Sequence, residues 1–451
     1  MRVIFFTLLC LNLLLSGAAL AADLSQTSLK DSVNMTLHHH PSLKVMQENR
    51  QAAEFDRKRA NSAFMPTLTL NGAVGTDQYS DPNTRQTPPP PDTKESGSLY
   101  ERANYSLTLA QPVFNGFSST NRLHMADSLL TSAEYRLLDN AEGLALDAIM
   151  AHAELERQKK LLSLATANVA NHRNMLKSQF DRQSAGASAR SDVTQTQARL
   201  ARSESTLVET RLAYETAELN YYNLTGVMPA GLARVSSPML SWSDAQACQE
   251  LALRNNPKIL SAQAEIASRR YQRDADRGAF APSLSAELSH SLDHYPSATM
   301  SNVRASSAML RGSWVLFNGN YDYYTLKGDN ARIRQSNMEL AALRDDLTKE
   351  IAAAWKAWRA AREQCSTYSR AVDYNNQTSQ MYLDQFNAGQ RSLLDILDSE
   401  NELFSNSLML VSAQMSEISA QYRLLALSGG LLDFLEIDRK ALAPQTSGDD
   451  E

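Results

Sequence analysis

Long apolar runs and basic surfaces are what this 451-residue sequence most conspicuously lacks. After Ala22 it contains no uninterrupted stretch of about 18 apolar residues, so we expect no transmembrane helix in the mature chain. The formal net charge is -6, and basic residues form no stripe interleaved with aromatic residues. The composition therefore argues against nucleic acid as a partner.

Cysteine is also scarce, with three residues in the whole chain. Cys10 falls in the leader described below, which leaves Cys248 and Cys365. Two cysteines cannot build a disulfide framework, although a single bridge could form in an oxidising periplasm. We interpret them as partly buried free thiols.

Motifs for catalysis, phosphate binding and metal binding are missing as well. The run His38-His39-His40 does not suit a metal, because adjacent helical residues point about 100° apart and cannot easily converge on one ion. We interpret the run as a polar turn before Pro41. With no nucleophile motif and no glycine-rich loop, we expect neither an enzyme nor a cofactor.

The first 21 residues have the pattern of a secretory signal peptide. An apolar run from Val3 to Leu15 follows Arg2, and the small residues over 16–21 suit cleavage after Ala21. The pattern predicts an exported protein.

Proline is absent from two long stretches, between Pro112 and Pro229 and between Pro296 and Pro444. Such stretches favour helix, and each is interrupted once by a glycine turn, at Gly186 in the first stretch and near residue 389 in the second. The 70 residues from 116 to 186 predict a rod of about 100 Å. The returning helices carry apolar heptad seams, typical of paired, coiled-coil-like helices.

The chain repeats itself. Pro41 and Pro66 lie 25 residues apart, as do Pro257 and Pro282, so the two copies are offset by 216 residues in this part. Further along, the offset is 203 at every landmark: Phe114 and Phe317, Gly186 and Gly389, Asp192 and Asp395. The first copy therefore holds about 13 extra residues between Pro66 and Phe114, where a polar, proline-rich loop stands.

The repeat sets the domain organisation. We predict a signal peptide over 1–21, a first repeat over 22–227, a linker over 228–242, a second repeat over 243–432 and an acidic, disordered tail over 433–451. Alternating apolar residues predict two strands in each repeat, at about 66–76, 102–113, 282–292 and 306–317.

Four strands are too few to close a barrel across a membrane, because the smallest such barrels have about 8. A membrane-spanning form would therefore have to be an oligomer. Three copies would supply about 12 strands and a water-filled lumen, and two would give a filled barrel. The sequence pattern leaves both open.

The mature chain resembles the TolC-like outer-membrane efflux and secretion proteins. The resemblance rests on the duplicated unit, the Asn256-Pro257 and Pro282 spacing, the turn over 111–116 (QPVFNG) and the tips at Gly186 and over 389–398 (GQRSLLDILD). It implies a mainly α fold with a β-barrel portion. Each chain would supply two β-hairpins and two long helical hairpins, and a homotrimer would form a 12-stranded barrel in the bacterial outer membrane and an α-helical barrel extending into the periplasm.

The resemblance also implies function. The subgroup suggested by the tips is the type I secretion duct. Such a duct would contact outer-membrane lipid and would export a protein together with a periplasmic adaptor and an inner-membrane ABC transporter. The alternative is the duct of a multidrug or small-molecule efflux pump, such as an RND pump. A second alternative, from another class, is a periplasmic coiled-coil protein without a pore.

The resemblance implies a gate formed by acidic side chains at two positions. In TolC-like proteins two acidic residues on the second tip narrow the periplasmic entrance, and Asp395 and Asp398 match them. Converging carboxylates repel one another, bind cations and oppose anions. The competing interpretation is that Ser392 and Asp395 cap the helix.

The resemblance further implies a latch between neighbouring tips. Arg391 matches an arginine two residues after the tip glycine, with Ser191 and Asp192 as expected partners. A tyrosine expected three residues before Gly389 is replaced by Phe386, which has no hydroxyl. Closure would then depend on the arginine or on packing of Phe386, unless Arg391 is an ordinary solvated charge.

Overall fold

The computed structural model describes five stretches of the chain: 27–78, 99–229, 231–240, 242–294 and 302–442. The expected signal peptide, most of the proline-rich loop and the end of the tail after residue 442 lie outside the described residues. Within them the chain is mainly helical, with one antiparallel sheet. The predicted fold class is confirmed.

Each repeat contains the same six elements in the same order. In the first repeat they are α1 (Leu29–His39), α2 (Pro41–Ser62), β1 (Thr67–Gln78), β2 (Leu99–Asn115), α3 (Ser118–Ser184) and α4 (Arg190–Thr225). In the second they are α5 (Ala245–Asn255), α6 (Pro257–Arg277), β3 (Ser283–His294), β4 (Val303–Ser313), α7 (Tyr321–Asn387) and α8 (Leu393–Leu427). Helices α3 and α7 are each 67 residues long, which corresponds to about 100 Å.

The short helices begin where the sequence supplies caps. Ser28 and Asp31 form a reciprocal capping box at α1, and the Asp244 side chain accepts from the Ala247 N–H at 2.8 Å at α5. Proline stands at the first position of α2 and of α6, where its missing N–H has no helical partner to lose. The helix break before each proline therefore recurs in both repeats.

The chain divides into two compact units. The helical unit comprises Met1–Gln47, Arg136–Ile259 and Leu343–Glu451, and the sheet unit comprises Glu48–Tyr135 and Leu260–Ala342. The core of the helical unit includes Val33, Leu43, Ala145, Ile149, Tyr422, Leu431 and Leu432. Apolar side chains from the beginning, middle and end of the sequence thus share one core.

In the sheet unit the four strands pair in the order β1-β2-β3-β4, all antiparallel. Each repeat supplies one hairpin, and β2 joins β3 across the two repeats. The register shifts between Pro112 and Phe114, where proline has no N–H to donate to the ladder.

The prediction of a disordered tail from residue 433 is wrong for residues 433–442. A short helix, α9 (Leu431–Phe434), is followed by a turn of 3-10 helix over Arg439–Leu442. The side chains of Leu435 and Leu442 are buried in the core of the helical unit. Their apolar burial offsets the entropy cost of ordering an otherwise acidic segment.

A buried carboxylate anchors this C-terminal segment. Glu142 on α3 is 4% exposed and accepts the N–H of Leu431 at 3.1 Å and of Leu432 at 3.4 Å, with Arg439 Nη2 at 3.5 Å. Burial raises the pKa of Glu142 to about 7, against the opposing effect of the Leu432 N–H, Arg439 and the Leu431 N–H. The folded protein therefore holds a proton on this group more tightly than the unfolded chain does.

This raised pKa predicts a pH-dependent stability. The contribution of Glu142 is complete below the unfolded value, near pH 4.5, and is lost as the pH rises through about 7. The melting temperature of the detergent-solubilised protein, followed by circular dichroism, should therefore fall between pH of about 5 and about 8. Glu142→Gln keeps an acceptor for the N–H groups and should remove most of this fall. An equal fall in both proteins would contradict the assignment.

The two cysteines of the helical unit are free thiols. Cys248 is buried, and burial raises its pKa to about 11, so this thiol is unreactive near neutral pH. The preference for free thiols over a bridge is confirmed.

Candidate functional site

Two glycine turns join the long helices to the returning helices in the helical unit. Gly186 has φ +74° and Gly389 has φ +75°. In each turn an N–H closes onto a carbonyl five residues earlier, at 2.8 Å. A β-carbon at either glycine would meet no heavy atom within 4 Å, so the positive φ alone favours glycine here.

On the second tip Asp395 lies in the first turn of α8, where Ser392 is the helix cap, and its side chain faces a cation. Its N–H donates to the Ser392 Oγ at 3.3 Å, and its carboxylate lies 3.5 Å from Arg391 Nη1 with 41% of the side chain exposed. Arg391 also donates from Nε to Gln385 Oε1 at 3.1 Å, and its guanidinium carbon lies 4.0 Å from the centroid of the Tyr382 ring. Three neighbours of its own hairpin thus hold Arg391.

Asp398, one turn further along α8, is joined to the first hairpin. Arg199 Nη2 on α4 donates to Asp398 Oδ1 at 2.8 Å. Glu400 continues the link, because its carboxylate accepts from Asn171 Nδ2 on α3 at 3.4 Å and from the Ser379 hydroxyl on α7. The acidic start of α8 therefore contacts all three other helices of the two hairpins.

The remaining predicted tip residues lie close to these. The guanidinium carbon of Arg182 is 4.1 Å from the centroid of the Phe386 ring, which brings the two tips of one chain together. Ser191 Oγ donates to Asp192 Oδ1 at 3.3 Å. Within the described chain the bonds of Arg391 go to its own hairpin, so its pairing with Ser191 or Asp192 of a neighbouring tip stays a prediction.

Sequence reasoning missed Arg199, Gln385 and Tyr382. One signal pointed to Tyr382, which lies one helical turn before Phe386 and so supplies an aromatic ring on the same face. Arg199 gave a weaker signal, since the offset of 203 matches it to Glu402, a charge of opposite sign.

The sheet unit has two chemically different faces, which the strand register defines. One face, the leucine face, includes Leu68, Leu70, Val74, Leu107, Leu109, Ala286, Leu288 and Leu310. The other, the polar face, includes Thr69, Asn71, Asn104, Ser106, Thr108, Ser285, Ser289, Ser291 and Ser307. Side chains alternate across a strand, so this division runs over all four strands. The exceptions include His290, Arg304 and Ser306 on the leucine face and Met309 on the polar face.

Ion pairs occur on the polar face. Arg102 on β2 reaches Asp293 on β3 at 2.9 Å and Asp77 on β1 at 3.4 Å, and Arg311 on β4 reaches Glu287 on β3 at 2.9 Å. Asn104 Nδ2 donates to the same Asp293 Oδ1 at 2.8 Å. Paired charges and hydroxyls of this kind suit contact with water, whereas the leucine face suits contact with lipid.

Aromatic side chains gather where the strands end and the long helices begin. Phe114 and Phe117 meet edge to face at 5.4 Å between ring centroids. In the second repeat Trp314, Phe317 and Tyr321 are all exposed. Exposed aromatic rings beside a leucine face are typical of the interfacial girdles of membrane barrels.

A serine-histidine pair in the helical unit has hydrogen-bond geometry that could suggest catalysis. Ser32 Oγ lies 2.9 Å from His152 Nδ1 and 2.8 Å from the Tyr221 hydroxyl. Both Ser32 and His152 are 0% exposed, and His152 Nε2 is bonded to the Ala233 carbonyl at 2.9 Å. Burial lowers the pKa of His152. The pair is a satisfied structural network that no substrate can reach.

Two further properties hold for the part of the chain that the structure describes. None of its helices combines the length and apolar character needed to span a bilayer. No group of three or more histidine, cysteine, aspartate or glutamate side chains in it could hold a metal ion.

Comparison with known proteins identifies relatives along almost the whole chain. The family model described as outer membrane efflux protein matches residues 33–227 and 249–430. The outer membrane efflux protein BepC of Brucella suis is 23% identical over 372 residues, which cover 82% of this chain and 78% of BepC. The alkaline protease secretion protein AprF of Pseudomonas aeruginosa is 24% identical over 432 residues, covering 93% and 88%.

Solved structures share the fold. Crystal structures of CusC match with a TM-score of 0.77 at 16% identity, covering 90% of this chain and 93% of CusC. The outer membrane protein VceC from Vibrio cholerae matches with a TM-score of 0.74 at 18% identity, covering 89% and 96%. The outer-membrane channel OprN matches with a TM-score of 0.74 at 20% identity, covering 89% and 90%.

Proposed function

Because the chain belongs to the outer membrane efflux protein family, we propose that it is the exit duct of a type I secretion system. Proteins of this family are trimeric channels of the bacterial outer membrane that extend into the periplasm and work with adaptor and inner-membrane transporter proteins. They are channels, not enzymes. In the proposed system an ATP-driven transporter and a periplasmic adaptor deliver a protein substrate to this duct.

The main support for a pore is that the sheet has one leucine face and one polar face. Three copies of the four-stranded sheet would supply 12 strands, with the leucine face toward lipid and the polar face toward a water-filled lumen. Arg102 and Arg311, both paired with carboxylates, would then line the lumen. Each repeat would contribute one hairpin to the barrel and one long helical hairpin to the periplasmic tunnel.

The tips form the proposed entrance. Asp395 and Asp398 would line its constriction, and Arg391, Ser191, Asp192 and Phe386 would hold neighbouring tips together. Both acidic side chains are substantially exposed, at 41% and 60%, which leaves them accessible to solutes. Their arginine partners reduce the charge that they present without removing it.

The double variant Asp395→Ala/Asp398→Ala tests this entrance. We expect it to lower the preference of the channel for cations and to weaken block by Mg²⁺, because six carboxylates of a trimer would be lost from one axis. The measurement is conductance and reversal potential of the purified trimer in planar bilayers under a KCl gradient. If cation selectivity and Mg²⁺ block were both unchanged in this variant, the assignment of the gate to Asp395 and Asp398 would be wrong.

The proposed cargo is a protein rather than a drug. The support is the likeness to AprF, whose name describes secretion of a protease and which aligns with 93% of this chain. The second candidate, a duct for small toxic solutes, has the support of BepC, which is named as an efflux protein. The walls of the two kinds of duct are physically alike, so the two functions must be distinguished by the phenotype of a strain that lacks the protein.

A deletion strain separates the two cargo classes. If the chain serves secretion, the strain should keep its normal tolerance to drugs and detergents and should fail to export a large protein. Complementation with the intact gene, and not with a gene lacking the second tip, should restore export. Loss of drug tolerance with normal protein export would instead support the efflux duct.

A coiled-coil spacer without a pore is the remaining alternative. It predicts a monomer that stays in solution without detergent and gives no conductance in bilayers. The leucine face is the observation against it, because exposed rows of leucine on four paired strands would favour aggregation in water.

A further inference from the structure

The two helical hairpins of one chain differ in charge at matching positions near their tips. Residues 393–402 on α8 carry four acidic and no basic side chains. The matching residues 190–199 on α4 carry two basic side chains and one acidic side chain. The second repeat therefore places negative charge near the tips, and basic side chains of the first repeat neutralise part of that charge.

One bond joins these opposite charges across the hairpins. Arg199 Nη2 lies 2.8 Å from Asp398 Oδ1, and among the described residues Arg199 is the only basic side chain that the structure joins to Asp398. The Arg199 side chain is 28% exposed, and that of Asp398 is 60% exposed. The cation is thus held against the protein while the carboxylate still faces solvent.

A buried histidine lies close enough to Arg199 to sense its charge. His172 on α3 is 5% exposed, its Nδ1 has no hydrogen-bond partner among the described residues, and Glu400 and Arg199 both act on it electrostatically. Burial lowers the pKa of His172, so it is neutral near pH 7. Arg199 therefore supplies the positive charge of this group near pH 7, and His172 adds none.

We propose that Arg199 determines the ion selectivity of the entrance by setting how much of the Asp398 charge is presented to solutes. This inference rests on the proposed function, in which Asp398 lines the constriction. In a trimer the arginine would act three times around one axis, so its effect on solutes there would be larger than that of one exposed ion pair. The second repeat would supply the gate charge, and the first repeat would adjust it.

Planar-bilayer recordings of the purified full-length trimer test the proposal, with Mg²⁺ added on the side of the tips. Arg199→Gln should tighten Mg²⁺ block by about fivefold and shift the reversal potential toward greater cation preference, because three carboxylates lose their partners. Asp398→Asn should weaken the block. The double variant should behave as Asp398→Asn does, since Arg199 acts through that carboxylate.

Two control variants separate the pair from general charge effects. Arg202→Gln removes an equal charge three residues further along α4, from an exposed arginine that has no ion pair in the described chain, and should leave Mg²⁺ block nearly unchanged. Arg199→Lys keeps the charge and should resemble the unmodified protein. Arg199→Met keeps much of the apolar length of the side chain and repeats the test if Arg199→Gln does not assemble.

The outcomes are distinguishable. Wild-type block in Arg199→Gln, combined with altered block in Asp398→Asn, would overturn this inference and leave the gate in place. An equal shift in Arg202→Gln would overturn it as well, as would failure of both uncharged Arg199 variants to assemble. Unchanged block in Asp398→Asn would remove the proposed gate and this inference together.

Discussion

Leu109→Lys is expected to prevent most of the protein from reaching a stable membrane-inserted form. Leu109 lies in a row of the leucine face, directly opposite Leu68 on β1 and Leu288 on β3. A lysine on the lipid face costs about 2–4 kcal/mol at the bilayer midplane. In the proposed trimer the penalty recurs in every subunit.

The matched control is Thr108→Lys, one residue away on β2. Thr108 lies on the polar face, opposite Thr69 and Ser289, where a charge can remain in water. This variant should insert normally and shift the selectivity of the channel toward anions. Trimer content of the outer-membrane fraction, measured on gels run without heating, reports both variants. Equal losses in the two would show that the faces are assigned wrongly.

Gly116→Ala is expected to cause the second large loss. Gly116 has φ +65°, and a β-carbon there would lie 2.4 Å from the Gly278 carbonyl oxygen and 2.8 Å from its Cα. A positive φ costs alanine roughly 1 kcal/mol, and pushing two backbones apart adds about 1–3 kcal/mol. We therefore expect a loss of about 2–4 kcal/mol in the free energy of unfolding.

The second repeat offers the control for this variant. Gly319 matches Gly116 in the repeat and has φ +69°, yet a β-carbon there would meet no heavy atom within 4 Å. Gly319→Ala should therefore lose only about 1 kcal/mol, from its φ alone. Denaturant unfolding of the two variants in detergent measures the difference. Equal losses would mean that the close approach to Gly278 contributes nothing.

Much of the architecture followed from sequence because its signals are local and repeated. The absence of proline between Pro112 and Pro229 predicted a helix that the structure extends over 67 residues. The offset of 203 predicted an equally long partner, and the structure gives α7 the same length. Tip glycines could be recognised because a sharp turn between long helices favours a residue that tolerates positive φ.

The C-terminal segment illustrates where composition misleads. Its acidic residues predicted disorder, but Leu435 and Leu442 insert into a core built mainly from helices far away in sequence. The Glu142 carboxylate then satisfies the N–H groups at the start of α9. Neither contact is visible in a local window, because the partners lie about 290 residues apart.

The carboxylates of the proposed gate show the same limitation. Asp395 and Asp398 could be selected by resemblance, yet nothing in their spacing revealed that Arg199 would pair with Asp398. The pair joins residues 199 positions apart, on helices brought together by packing of the two hairpins. Sequence thus identified candidate groups, and the structure identified the arginines with which they form ion pairs.

The sequence by itself determined the duplication, the helix lengths, the tip turns and the lack of any long apolar run, since each depends on residues near one another or on a fixed offset. The faces of the sheet were decided only by the tertiary structure. Each strand alone alternates too weakly to distinguish the two faces. The register of four strands aligns their leucines on one face and their ion pairs and most of their serines on the other. Side-chain direction has a period of two residues, so a shift of one residue in pairing would have mixed the two faces.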